Sequence, residues 1–194
     1  MTLERDIHPI LIVSGSDKVY DHLAGILPKD EFMVSRASSA GEARRCLIES
    51  SFDIMFINSP LPDDFGVELA FDYSELPMGI IIMVKEDIYN RVSYDVENEG
   101  IITLQKPNSR QAIYSTVKLM AAVSAKLKRL DKKNQTLQEK MADIRIINHA
   151  KWLLIENKDM TEEEAHKYIE KKAMDSRRSK RETAQEVIDT FESR

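Results

Sequence analysis

Over the first 120 positions, short apolar runs alternate with apolar stripes of helical period; beyond them only the helical period remains. Ile10-Leu11-Ile12-Val13, stopped by Ser14-Gly15-Ser16, predicts a strand buried on both faces. Residues 17–27 then place Val19, Leu23, Ile26 and Leu27 on one helical side. A second strand is predicted near Phe32–Ser35, and Ala40, Ala43, Leu47 and Ile48 stripe the next helix. Asp53–Ile57, closed by Asn58-Ser59-Pro60, predicts the third strand, Ile80–Val84 the fourth and Gly100–Leu104 the fifth. Lys106-Pro107 and another helix follow. Strands alternating with helices predict an α/β domain over residues 1–120: a doubly wound, five-stranded parallel sheet covered on both faces. Ligands of such sheets bind at the carboxyl ends of the strands.

From residue 110 the pattern changes. Ile113, Val117, Met120, Val123, Leu127, Leu130, Leu137, Met141 and Ile144 recur mostly at spacings of three, four or seven, with Lys and Glu between them. Neither Gly nor Pro occurs after Pro107. The pattern predicts one long connector helix of coiled-coil type over 110–148. A stripe of this length needs a partner, so a parallel homodimer is expected through Met120, Leu127, Leu130, Leu137 and Met141. Asn134, at a seam position, would set its register.

Residues 138–194 predict a three-helix, all-α bundle. The first helix carries Ile144, Ile147, Ala150, Trp152, Leu153, Leu154 and Ile155 and is broken at Asn157-Lys158-Asp159. Thr161 and Glu164, three apart, form a capping box ahead of a helix burying Ala165, Tyr168, Ile169 and Ala173. Ser179 and Glu182 repeat the device ahead of Ala184, Val187, Ile188 and Phe191. These helices are too short to stand alone and must pack together.

Charge sharpens the division. Residues 1–120 hold 11 Lys+Arg against 19 Asp+Glu, and residues 121–194 hold 17 against 14, in a chain of net charge −5. Four of the five residues 177–181 are cationic: Arg177, Arg178, Lys180 and Arg181. A compact cationic turn between short helices is an electrostatic footprint for a polyanion, nucleic acid first. Lys151 joins this set, with Arg145 and His149 as weaker candidates. The lone Cys46 predicts a packed thiol and fits a reducing cytoplasm. The polar start Met1–Asp6 has no apolar run of signal-peptide kind, and no segment reaches the roughly 18 apolar residues of a membrane span.

The first 120 residues resemble the receiver domain of two-component response regulators. The resemblance rests on Ile10–Val13, on Phe52-Asp53-Ile54-Met55-Phe56-Ile57-Asn58-Ser59-Pro60-Leu61-Pro62, on Gly66 and on Lys106-Pro107. The family's magnesium-binding acidic pair falls on Ser14 and Gly15, its phosphorylated aspartate on Asn58, its hydroxyl residue on Val84 and its lysine on Lys106. Magnesium at such a site wants carboxylate oxygens, and an amide is too weak a nucleophile for phosphoryl transfer. The resemblance therefore implies a degenerate receiver that takes no phosphate and no metal. Asp63 and Asp64 are expected as solvated turn residues, and Lys106 as a structural donor.

The C-terminal 55 or so residues resemble the ANTAR domain, the RNA-binding module of bacterial transcription antiterminators. The carriers are Asn148-His149-Ala150-Lys151, Leu153-Leu154, Met160–Ala165, Ala173-Met174-Asp175-Ser176-Arg177-Arg178, Ala184 and Val187-Ile188. Trp152 departs from the glycine common after the Ala-Lys pair and is expected in core or interface packing. The resemblance implies a dimer that binds paired stem-loops in nascent messenger RNA and excludes a terminator hairpin. Lys151, Arg177, Arg178, Lys180 and Arg181 would contact phosphates and loop bases, Arg also by stacking.

Other classes fit less well. His8, His22, His149 and His166 form no metal-ligand spacing, and there is no Gly-rich phosphate loop, so neither an enzyme nor a bound cofactor is expected. A DNA-binding helix-turn-helix regulator is the alternative, although the cations cluster at a turn and not along a recognition helix. A module that only binds another protein is the third reading. A repressing ligand-sensor protein is the expected source of control, with an anionic ligand in the degenerate pocket as the other candidate.

Overall fold

The computed structural model describes residues 7–192. The chain divides into two compact units between Asp131 and Lys132.

The first unit is a parallel sheet of β1 (His8–Val13), β2 (Phe32–Ala37), β3 (Ile54–Asn58), β4 (Gly79–Lys85) and β5 (Ile102–Lys106) in the order β2-β1-β3-β4-β5. Its helices are α1 (Asp17–Ala24), α2 (Ala40–Glu49), α3 (Val67–Asp72), α4 (Glu86–Val96) and the first turns of α5 (Arg110–Lys158). The doubly wound architecture is the one the sequence predicts; α3 and α4 occupy connections to which the sequence reading assigns no helix range.

Period-two alternation divides the buried strand residues between two faces. Leu11, Val13, Met55, Ile57, Ile80, Ile82 and Val84 pack with Ala43 of α2, Leu69 of α3 and Val92 and Val96 of α4. Ile10, Ile12, Ile54, Phe56, Ile81 and Met83 pack with Leu23 of α1 and with Ile113, Val117 and Met120 of α5. Cys46 is half-buried against the first of these layers, in the packed role expected of it. At the amino end of the sheet Asp53 accepts from Lys128 and pairs with His8 Nδ1 at 2.5 Å, tying two strand starts to α5.

Met120 corrects the predicted dimer seam. It is buried in its own domain, and a Cβ on Gly79 would lie 2.8 Å from the Met120 Cβ. Period alone cannot say whether a helical stripe faces its own sheet or a second chain. Ser124, also buried, donates to the Pro77 carbonyl at 3.0 Å. By contrast Leu127, Leu130, Asn134, Leu137 and Met141 stand exposed along α5.

The second unit packs the end of α5 with α6 (Glu162–Ser176) and α7 (Lys180–Glu192). Its core is Ala150, Leu153, Leu154, Ala165, Ile169, Ala184, Val187 and Ile188. α5 ends at Lys158, where Asp159 takes φ +50°. Both predicted capping boxes form. Glu164 and Thr161 satisfy each other's backbone N–H, as do Glu182 and Ser179. Among the described residues no helix is long and apolar enough to cross a membrane.

Candidate functional site

Parallel register brings the degenerate receiver residues to one end of the sheet. Asn58 closes β3 opposite Met83, and Lys85 pairs Lys106 across β4 and β5. Ser14 and Val84 are fully buried, and Asn58 nearly so. Asn58 Nδ2 donates to Ser14 Oγ at 3.1 Å, and Ser14 Oγ donates to the Ser16 carbonyl at 3.1 Å. Lys106 Nζ donates to the Ser59 carbonyl. Burial lowers the Lys106 pKa, with help from the neighbouring Lys85 charge. Asn58 Oδ1 is buried without a hydrogen-bond partner in the described residues.

This donor set does not fit magnesium, which takes its ligands from carboxylate and other hard oxygens. Ser14 offers a hydroxyl already engaged, and a Cβ on Gly15 would stand 2.7 Å from the Pro62 ring, so an acidic side chain there has no room without displacing the loop. Asp17 is turned to Arg36 at the surface. Asp63 is exposed, as expected of a turn residue, whereas Asp64, expected to be solvated, is mostly covered. Asp63 accepts from the Ala40 and Gly41 N–H groups at 2.9 Å each, capping α2 from a distant loop, and those two bonds hold its pKa below the ordinary range. Asp64 accepts from the Gly66 N–H. All these carboxylates are already committed elsewhere.

In the second unit the five predicted cations surround the start of α7 and the neighbouring end of α5. Each is at the surface except Lys151, which is half-buried. Four of them hold carboxylates: Lys151 with Glu162 at 3.1 Å, Arg178 with Glu186 at 3.2 Å, Lys180 with Glu170, and Arg181 with Asp143 at 3.0 Å. The partners feel it. The Lys180 hydrogen bond is the largest influence lowering the Glu170 pKa, and the Lys172 hydrogen bond plays that part at Glu186. Of the five, Arg177 alone has no carboxylate partner among the described residues. It ends α6 in the left-handed region at φ +52°, its N–H bonding the Met174 carbonyl and the next N–H that of Ala173.

The sequence expectation did not foresee these pairings, because the acidic partners lie between eight and 38 positions away. Lys151 and Lys180, 29 positions apart in the chain, line one concavity. Trp152 is not in the core: it is 55% exposed and lies beside His149, ring centroids 6.4 Å apart. His149, one of the weaker candidates, is itself exposed and 3.4 Å from Glu192. Arg145 is exposed as well.

Comparison with known proteins divides along the same line. Residues 135–188 match the family described as ANTAR domain. Across almost the whole chain, the transcriptional regulatory protein PdtaR of Mycobacterium tuberculosis is 22% identical over 184 residues, 94% of this chain and 90% of that protein. The aliphatic amidase regulator of Pseudomonas aeruginosa is 31% identical over 94 residues, 48% of this chain and 47% of that protein. Among solved structures, a CheY-like receiver domain protein from Methanospirillum hungatei matches with TM-score 0.55 at 23% identity, over 62% of this chain and 98% of that one. A signal receiver domain of an HD domain-containing protein from Pseudomonas fluorescens matches with TM-score 0.57 at 20% identity, over 66% and 96%. The first unit thus has the receiver fold, and residues 135–188 of the second match the ANTAR family model.

Proposed function

We propose that this protein, an ANTAR domain following a receiver-type fold, is a transcription regulator that acts by binding RNA. The observation that carries the reading is the set of five cations at the α6–α7 turn and the end of α5, within the residues that match the ANTAR family. Arg178, Lys180 and Arg181 are in surface ion pairs, which are worth little in water and exchange readily for phosphate, and the half-buried Lys151 pairs with the exposed Glu162. Arg adds stacking and bidentate hydrogen bonding to loop bases. Unpaired loops, not duplex grooves, are where side chains reach RNA base edges.

Two copies acting together would hold paired stem-loops and keep a terminator hairpin from forming. Leu127, Leu130, Leu137 and Met141, exposed at coiled-coil spacing, form the seam we assign to that dimer, with Asn134 fixing its register. The receiver-type unit works without phosphorylation in this reading. Its Asn58 amide is no nucleophile, and the carboxylates nearest in sequence are engaged elsewhere. Control then comes through a bound protein partner, a ligand sensor in the simplest case.

A salt-titrated binding assay of the purified chain against a leader RNA with two stem-loops tests this, with duplex DNA as competitor. Tight binding that weakens steeply with salt, with Arg177→Ala/Arg178→Ala losing about tenfold or more in affinity and flattening the slope by roughly two, supports RNA reading. Equal or better competition by duplex DNA would replace it with the helix-turn-helix reading.

A further inference from the structure

The last turns of α5 are apolar on two opposite sides. Ala150, Leu153 and Leu154 are buried in the core of the second unit, with Ile146 and Ile147 packed against them. At 3.6 residues per turn, Trp152 and Ile155 fall on the far side of the helix from that core, in line with Met141 and Ile144. These four large side chains are between 37% and 57% exposed. A helix face turned to water ordinarily carries polar residues. Here an apolar row runs along it, opened by the exposed Leu137 and interrupted by Asn148 between Ile144 and Trp152.

The spacing of the row says what covers it. Asn134, Leu137, Met141 and Ile144 step by three, four and three, the seam of a two-stranded coiled coil. Ile144, Asn148, Trp152 and Ile155 step by four, four and three, an eleven-residue repeat. Such a repeat lets two paired helices continue side by side with their left-handed winding relaxed. The seam therefore does not stop where the bundle begins. Asn134 and Asn148 lie fourteen positions apart, two heptads, and neither side-chain amide makes a hydrogen bond among the described residues. An amide both donates and accepts, so it pairs with an identical amide. In a parallel pair of helices held in register, each asparagine meets its own copy. A second copy of this chain supplies both partners by symmetry, which a foreign protein does not.

We propose that the face of α5 through Asn148, Trp152 and Ile155 is a contact between two copies of this chain, made by the second unit itself, with Trp152 as its anchor. The proposal rests on the dimer reading given above and carries its seam from Met141 on to Ile155, along the outer side of the helix that buries Leu153 and Leu154. Interface affinity concentrates on a few large aromatic side chains, and Trp152, already flanked by His149, is the largest on this face. Pairing is then built into the second unit, so its two sets of cations stay together whatever state the receiver-type unit is in. An RNA base stacked on Trp152 is the rival occupant.

The test uses the full-length protein without RNA. Trp152 is the single tryptophan, so its emission reports on this face, and sedimentation over the same dilution series reports the dimer. The expected result is emission that moves to the red in step with dissociation, and a dissociation constant raised about tenfold to a hundredfold by Trp152→Ala. In a Cys46→Ser background, Asn148→Cys should cross-link between copies on mild oxidation, as Leu137→Cys does. All three seam positions are exposed and outside the core, so the variants keep the fold. Dimers that cross-link through Leu137→Cys but not through Asn148→Cys, with Trp152 emission constant on dilution, would overturn the extension and leave the dimer reading in place. Emission that changes only when a hairpin RNA is added, with the dimer indifferent to Trp152→Ala, would also overturn it and give the face to RNA. A chain that is monomeric at every concentration would remove the dimer reading itself and the extension with it.

Discussion

The two units treat their polar groups in opposite ways. At the end of the sheet, Ser14, Asn58 and Lys106 are turned inward, and their hydrogen bonds run to one another or to the backbone. At the α6–α7 turn Arg177, Arg178, Lys180 and Arg181 stand in water; the last three are each held by a carboxylate, and Arg177 by none among the described residues. Buried polar groups are costly to leave unpaired, so the first arrangement is largely fixed, with Asn58 Oδ1 alone of these three side chains keeping an unpartnered buried atom among the described residues. Exposed ion pairs carry a fraction of a kcal/mol, so the second can be exchanged. The first unit thus builds its polar groups into the core, whereas the second keeps its charges outside in exchangeable pairs.

Asn58→Asp puts that contrast under the greatest strain. It sets a carboxylate where the amide donated to Ser14, at a position only 7% exposed. Burial would raise the new pKa, and a rise of two units costs on the order of 3 kcal/mol at neutral pH. Since the folded-state pKa lies above the unfolded one, the penalty is full at high pH and relieved as pH falls through the folded value. Urea unfolding across pH reads this directly, and an unchanged midpoint at neutral pH would mean that the site is open to water. The variant should also take no label from a phosphate donor, because Ser14 and Gly15 still supply no carboxylate for a metal.

A smaller effect comes from Glu170→Gln with Glu186→Gln, which releases Lys180 and Arg178. Stability should change by less than about 1 kcal/mol, while RNA affinity at low salt rises about threefold. A fall in affinity would show that the pairs orient the cations for binding instead of competing with it.

The mildest probe is acid. Glu164 and Glu182 are lowered in pKa chiefly by the N–H groups of the helix caps, and Glu170 and Glu186 chiefly by lysine hydrogen bonds. Each carboxylate stabilises the folded unit above the ordinary glutamate value, and that contribution fades as pH falls through the depressed folded value. Trp152, the single tryptophan, lies in this unit and reports the transition by fluorescence. Loss of structure beginning well above the ordinary glutamate range would point to some other group.

What could be read beforehand was local. The strand runs, the breaks after Val13 and Asn58, and both capping boxes depend on residues within four positions of one another. What could not be read depended on which surfaces meet. Met120 shares its period with Leu127 and Leu130, yet only the sheet above it decides that it is core. Asp63 caps a helix 23 positions earlier in the chain, and nothing in its own loop announces this. The cationic residues were legible as a cluster, but their carboxylates, brought from α5, α6 and α7, were not. Trp152 is expected in core or interface packing, and the helix turns it outward beside His149, out of the core.

Arg177 has a consequence for the order of events. It holds a left-handed backbone conformation where glycine would be at ease, a strain of about 1 kcal/mol or more, and among the described residues its guanidinium has no ion pair to surrender. Lys151, Arg178, Lys180 and Arg181 each have to change partners before they can grip a phosphate. Capture and commitment are therefore separated in time. Under the proposed RNA reading, Arg177 governs how fast an RNA is first caught, and the four exchanging pairs govern how long it stays. If that RNA is a nascent transcript, the first of those rates sets the outcome.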